Sequence, residues 1–135
     1  EIMATIRSDR NEVLKCLKEA AAELGQKIAH RHNLNFNVGY CEEFPVTVNN
    51  PKAVAVIRQA ASELDLDLES PEESPFRWSE DFGLLAGWAE QGAMFGLGAG
   101  ENHPVLHGPE YDFNDDLILP GVTILQRICK VIQSV

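Results

Sequence analysis

Apolar side chains recur along this chain at two different periods, and each change of period marks a new element. Over residues 2–7 apolar and polar positions alternate, with β-branched Ile2, Thr5 and Ile6, the rhythm of a half-buried strand. Ser8 or Asp9 then caps a segment in which Val13, Leu14, Leu17, Ala20, Ala21, Leu24 and Ile28 return at helical spacing up to His32, predicting a long amphipathic helix. Alternation resumes over 34–40, where Leu34, Phe36 and Val38 fall on one side and Asn35, Asn37 and Gly39 on the other, so a second strand is expected. The three make a β-α-β unit.

Pro45 and the turn Asn49-Asn50-Pro51 close that unit. Pro51 suits the first turn of a helix running to about residue 66, with Ala53, Val54, Val56, Ile57, Ala60, Ala61 and Leu64 as its apolar face. Residues 67–75, with Glu69, Glu72, Glu73 and two prolines, are too polar and too broken for a buried element. Ser79, Asp81 and Phe82 open a short helix to about Glu90, and Ala93-Met94-Phe95-Gly96-Leu97-Gly98 has the small and apolar make-up of a fully buried strand. A loop over 100–109 follows. Asn114 or Asp115 then caps a last helix over 117–133, striped by Leu119, Val122, Leu125, Ile128 and Ile132, with Pro120 tolerated in its first turns. The expected fold class is therefore α/β: a β-α-β unit followed by an α-β-α part.

Composition narrows the function classes. Eleven basic against twenty-one acidic side chains give a formal charge of −10, which repels a phosphate backbone and argues against nucleic acid as a partner. No apolar run approaches the ~20 residues needed to cross a bilayer, and the first residues lack the features of a signal peptide; a soluble, cytoplasmic protein is expected. Cys16, Cys41 and Cys129 are odd in number and never form Cys-x-x-Cys, so neither a disulfide framework nor a zinc knuckle is indicated. Cys16 and Cys129, on apolar helix faces, are expected to be buried thiols.

The chemistry-bearing residues gather late in the chain. His107 follows the predicted buried strand after a short loop, near the strand end at which open α/β sheets place their ligand crevice, and it suits a metal ligand, with a simply solvated loop histidine as the alternative. Asp112, Asp115 and Asp116 are placed to orient its ring, although Asp115 and Asp116 serve equally as helix caps. His103 lies in the same loop, where a four-residue spacing has no helical meaning, and His30 and His32 suit a helix carboxyl end. Glu80 and Asp81 fit a helix first turn, and a carboxylate there can also face the crevice of His107. Arg7, ending the first strand, can clamp a carboxylate in a bidentate fork. Gly98 allows close backbone approach. Gly96, Gly98 and Gly100 precede a loop rather than a helix, which excludes a dinucleotide fingerprint, and Ser79 is in no Gly-x-Ser-x-Gly elbow.

Taken in order, Ser79-Glu80-Asp81-Phe82, Phe95-Gly96-Leu97-Gly98-Ala99-Gly100 and Leu106-His107-Gly108-Pro109-Glu110-Tyr111-Asp112-Phe113-Asn114-Asp115 resemble the C-terminal signature of the metallopeptidase family M-twenty, in particular its amidohydrolases acting on N-acyl amino acids, hippurate and auxin conjugates. Ala4-Thr5-Ile6-Arg7 resembles a strand of that family's lid. The resemblance implies that residues 1–44 are the C-terminal half of a lid and dimerisation domain and 45–135 the C-terminal part of a catalytic domain. It further implies two divalent ions, usually zinc, with His107 as the last ligand, while the other ligands and the catalytic glutamate have no counterpart here, so no catalytic residue is assigned. Arg7, Glu80 and Gly98 are the expected substrate-binding residues. The implied activity is hydrolysis of the amide bond of an N-acyl amino acid or small peptide by a homodimer, with this chain inactive alone. Gly108 stands where serine is common, and Trp78 where a small residue often precedes the Ser-Glu-Asp-Phe stretch. A non-catalytic α/β dimerisation or interaction module is the alternative.

Overall fold

The computed structural model describes residues 1–69, 76 and 80–134. Among them the regular structure is helical: α1 (Asn11–Arg31), α2 (Pro51–Glu63), the short α3 (Phe82–Ala86), and a 3-10 turn (Asp115–Leu117) leading into α4 (Ile118–Gln133). No described residue lies in a strand, which overturns the α/β expectation with its β-α-β unit and its later strand. Alternation shows only that a segment has an apolar side; a strand also needs a neighbouring edge that takes up its N–H and C=O groups. Residues 2–7 meet no such edge among the described residues, and Ile2 and Met3 stand 95% and 88% exposed. The helical periods fare better, because an α-helix satisfies its backbone within itself.

The chain divides into two compact units, the first comprising Glu1–Val48 with Trp78–Trp88 and the second Asn49–Arg77 with Ala89–Val135. In the first, α1 starts after Arg10, whose N–H is taken by Ser8 Oγ at 3.2 Å. It ends in a Schellman turn: Leu34 N–H donates to Ala29 O (2.8 Å) and Asn33 N–H to His30 O (3.3 Å), with Asn33 in the left-handed conformation at φ 52° that asparagine tolerates. That reversal sends residues 34–46 back along α1. Phe36 lies against Gly25, where any Cβ would overlap its ring. Further back, Tyr40 Oη donates to Lys18 O (2.9 Å) while Lys18 Nζ sits 4.3 Å from the Tyr40 ring centroid and pairs with Glu43. Val46 N–H donates to Asn11 Oδ1 (2.9 Å). The segment thus has no regular structure of its own and is fastened to a helix. Its pairing turns α1 so that Gly25 and the buried Ala29 face inward, whereas Leu17, Leu24 and Ile28 of the predicted apolar face are exposed.

The second unit is built on α2 and α4. Asn50 caps α2 by accepting from Lys52 N–H (2.9 Å), with Pro51 in the first turn as predicted. A second Schellman turn ends it, Leu66 N–H donating to Ala61 O (3.0 Å) and Asp65 taking the left-handed conformation at φ 55°. Ala60 and Ala61 are buried against Ile124 and Val131 of α4, and Val56, Leu64, Phe95 and Ile128 flank them. Methyl-sized side chains on α2 let two helices approach closely with branched side chains filling the gap. Asn114 accepts from Asp116 N–H (3.1 Å) and caps the 3-10 turn in front of α4. Pro120 is third in α4, where its missing N–H removes no intrahelical bond. The predicted stripe of α4 is rotated: Leu119, Val122, Leu125 and Ile132 are exposed, and Ile124 and Val131 form the core.

Candidate functional site

His107 lies in the second unit, on the loop between the extended segment after Gly92 and the 3-10 turn. Phe95, held in the core, and Leu97, whose Cδ2 lies 3.5 Å from where a Cβ on Gly121 would stand, pack the incoming segment on the helices. The outgoing end is tied by Asn114 Nδ2, which donates to Ala99 O at 3.4 Å. Between these ties run three turns, His103 N–H donating to Gly100 O (3.3 Å), Gly108 N–H to Val105 O (2.9 Å) and Tyr111 N–H to Gly108 O (3.1 Å). The rings of His103 and Tyr111 meet edge to face, 5.5 Å between centroids at 71°, and brace the loop across its base.

His107 is third in the Val105–Gly108 turn and has φ 65°, a left-handed backbone that few residues other than glycine adopt, asparagine, aspartate and histidine most often among them. Its side chain is exposed. Gly108 is required locally, because a Cβ there would lie 2.9 Å from Val105 O; a serine at this position would collide with the turn. The histidine is thus held in the left-handed conformation on an exposed loop.

The other expected participants are distributed as follows. Gly98 shares the unit of His107, and space around it is open, with nothing within 4 Å of a would-be Cβ. Arg7 and Glu80 belong to the first unit and are exposed, with Glu80 O accepting from Gly83 N–H (3.2 Å). Asp115 and Asp116 lie within the 3-10 turn, which Asn114 caps, and neither side chain caps α4. His103 is fixed by a 3.0 Å contact of Nδ1 with Pro104 O. His30 lies in the last turn of α1 and His32 caps its end. Ser79 and Trp78 lie outside the described residues. Among the described residues no three His, Cys, Asp or Glu side chains gather as a metal site needs. A stable zinc site uses roughly three to four protein ligands, so these residues alone do not fit a bound zinc ion.

Sequence reasoning missed the His103–Tyr111 brace and the left-handed backbone of His107. The Leu-His-Gly-Pro run was the available signal for the second, since glycine and proline after a residue mark a tight turn.

Comparison with known proteins places the chain in a family. The profile of Peptidase family M20/M25/M40 matches residues 16–131. The chain belongs to this family. It is 28% identical over 128 residues to the hippurate hydrolase of Campylobacter jejuni, covering 94% of this chain and 33% of that protein. To an uncharacterized hydrolase of Sinorhizobium fredii it is 24% identical over 127 residues, covering 93% and 31%. The chain therefore spans about a third of the length of the curated relatives it matches. No solved structure matches it. No helix among the described residues is long and apolar enough to cross a membrane.

Proposed function

We propose that this chain is the C-terminal portion of a metal-dependent amidohydrolase that cleaves the amide bond of N-acyl amino acids or small peptides. The observation that carries the reading is the family match over residues 16–131, which includes the loop where His107 is held at φ 65°. In this reading residues 1–44 are part of a lid and dimerisation domain and 45–135 the end of the catalytic domain. His107 is the last ligand of a zinc pair whose remaining ligands come from elsewhere in a longer protein. Arg7, Glu80 and Gly98 contact the substrate, and the working form is a cytoplasmic homodimer. The name of the Campylobacter relative supports an acyl-amino-acid substrate.

The 135-residue chain is inactive by itself in this reading, since one imidazole holds zinc only weakly. Metal analysis and hydrolysis assays on the longer protein test it. About two zinc ions per subunit, with hydrolysis of N-acetyl amino acids abolished by His107→Ala, is the expected result. Absence of bound metal and of hydrolysis would instead favour an interaction module. Robust hydrolysis by the 135-residue chain alone, lost in His107→Ala, would show that no further ligands are needed.

A further inference from the structure

The amide of Asn49 forms a closed ring with the backbone of Met94. Asn49 Nδ2 donates to Met94 O at 2.9 Å, and Met94 N–H donates to Asn49 Oδ1 at 2.8 Å, across 45 positions of sequence. Next to it, Asn50 N–H donates to Gly92 O at 2.8 Å, while the Asn50 side chain is committed to capping α2. All four residues belong to the second unit.

The pairing has a specific consequence for an unpaired segment. Residues 92–99 lie in no helix and have no strand neighbour among the described residues, and Met94 has both its backbone donor and its acceptor satisfied by one side chain. A primary carboxamide offers a donor and an acceptor side by side, at the spacing of a peptide's own N–H and C=O. Asn49 thereby takes the place of a neighbouring strand over one residue. Asn49 adjoins Asn50, the cap of α2, itself packed on α4, so the ring transmits the position of that helix pair to the segment. Four residues after Met94 comes Gly98, and the Asn114 bond to Ala99 O closes the far end.

We propose that Asn49 is a positioning residue, whose amide sets the place of the Met94–Gly98 segment and so of the backbone that contacts substrate. The substrate half of this inference rests on the hydrolase reading; the clamp itself does not. Aspartate has the same shape but cannot donate when ionised, and alanine removes both bonds, so both substitutions open the ring.

Amide hydrogen exchange on the 135-residue chain decides the clamp. In the native sequence Met94 N–H is protected; in Asn49→Ala its exchange rises about tenfold, the combined effect of two modest hydrogen bonds, and in Asn49→Asp, which keeps the acceptor for Met94 N–H but loses the donor to Met94 O, it rises by less, while Ala60, Ala61 and Val131 keep their protection. An unprotected Met94 in the native chain, or a rise shared equally with Ala60 and Val131, overturns the proposal. In the longer protein both variants raise KM for an N-acyl amino acid several-fold with kcat within about twofold, the signature of lost ground-state binding. Unchanged KM in an active enzyme removes the substrate role. If the unsubstituted protein hydrolyses nothing, the hydrolase reading falls, and the exchange at Met94 still decides whether Asn49 holds the segment.

Discussion

Arg127 of α4 reaches Glu63 at the end of α2, Nη1 to Oε2 at 3.3 Å, from 64 positions away in sequence. It is an ionic link between two helices whose common core is apolar, and it lies at their solvent edge, the two side chains 36% and 38% exposed. Water screens a pair so placed, so its contribution is small. A double-mutant cycle with Arg127→Met and Glu63→Gln, followed by urea unfolding, should return a coupling of about 0.5 kcal/mol. A coupling several times larger would mean that the pair is shielded from water.

The backbone at His107 supplies a second expectation. A non-glycine residue at φ 65° carries a conformational cost of roughly 1–2 kcal/mol, partly offset in a glycine variant by the freedom that glycine has in the unfolded chain. His107→Gly should stabilise the chain by up to ~1 kcal/mol, whereas His107→Val, β-branched, should destabilise it by about as much or more. Urea midpoints at unchanged m-value would record both. A destabilised glycine variant would show that the ring contributes packing that outweighs its backbone strain.

Gly83 provides a steric test in the first unit. A Cβ at this position would lie 2.9 Å from both Pro45 O and Thr47 Oγ1, and Gly83 is buried. Alanine is the better helix former by about 1 kcal/mol, yet here the backbone of Pro45 would have to move. Gly83→Ala should cost ~1–2 kcal/mol in spite of its propensity. Thermal melts of Gly83→Ala beside Gly87→Ala, whose nearest neighbour would be Leu84 O at 3.3 Å, would separate the two effects.

The cysteines reverse an expectation. Cys16, Cys41 and Cys129 are all free and exposed, although Cys16 and Cys129 sit on helix faces rich in apolar residues. Titration of the folded chain with a thiol reagent should therefore modify all three in a single fast phase, with no further thiol released by denaturant. A slow class appearing only in urea would place at least one of them under cover.

These contrasts show which parts of the structure were legible in the sequence. Helix existence was, because Pro51, the Asn50 cap and the recurrence of Ala60, Ala61 and Leu64 are local signals that an α-helix converts directly into backbone bonds. Which face turns inward was legible only for α2. In α4, Leu119, Val122, Ile124, Leu125, Ile128, Val131 and Ile132 surround nearly the whole helix, so periodicity leaves its rotation open, and contact with two alanines decides it. In α1 the deciding residue was Gly25, silent in a hydrophobic pattern but necessary for the approach of Phe36. Strands were misjudged because pairing depends on partners remote in sequence. The position of His107 on a loop after an apolar segment could be read, and the Leu-His-Gly-Pro run carried a signal for its left-handed turn that went unused; the Tyr111 brace and the Asn49 ring could not be read, since each depends on a contact that spacing does not specify.

The first unit resumes after an interruption: α3 contributes Gly83 to a packing position on Pro45 and Thr47 although the residues from Asn49 to Arg77 belong to the second unit. A genetic crossover falling within that intervening stretch would combine a Pro45–Thr47 surface from one parent with an α3 from another, selected against different neighbours. Lineages are therefore expected to retain the two units as a co-inherited block, and chimeras joined there to express poorly unless residues 45–47 and 82–86 come from the same parent.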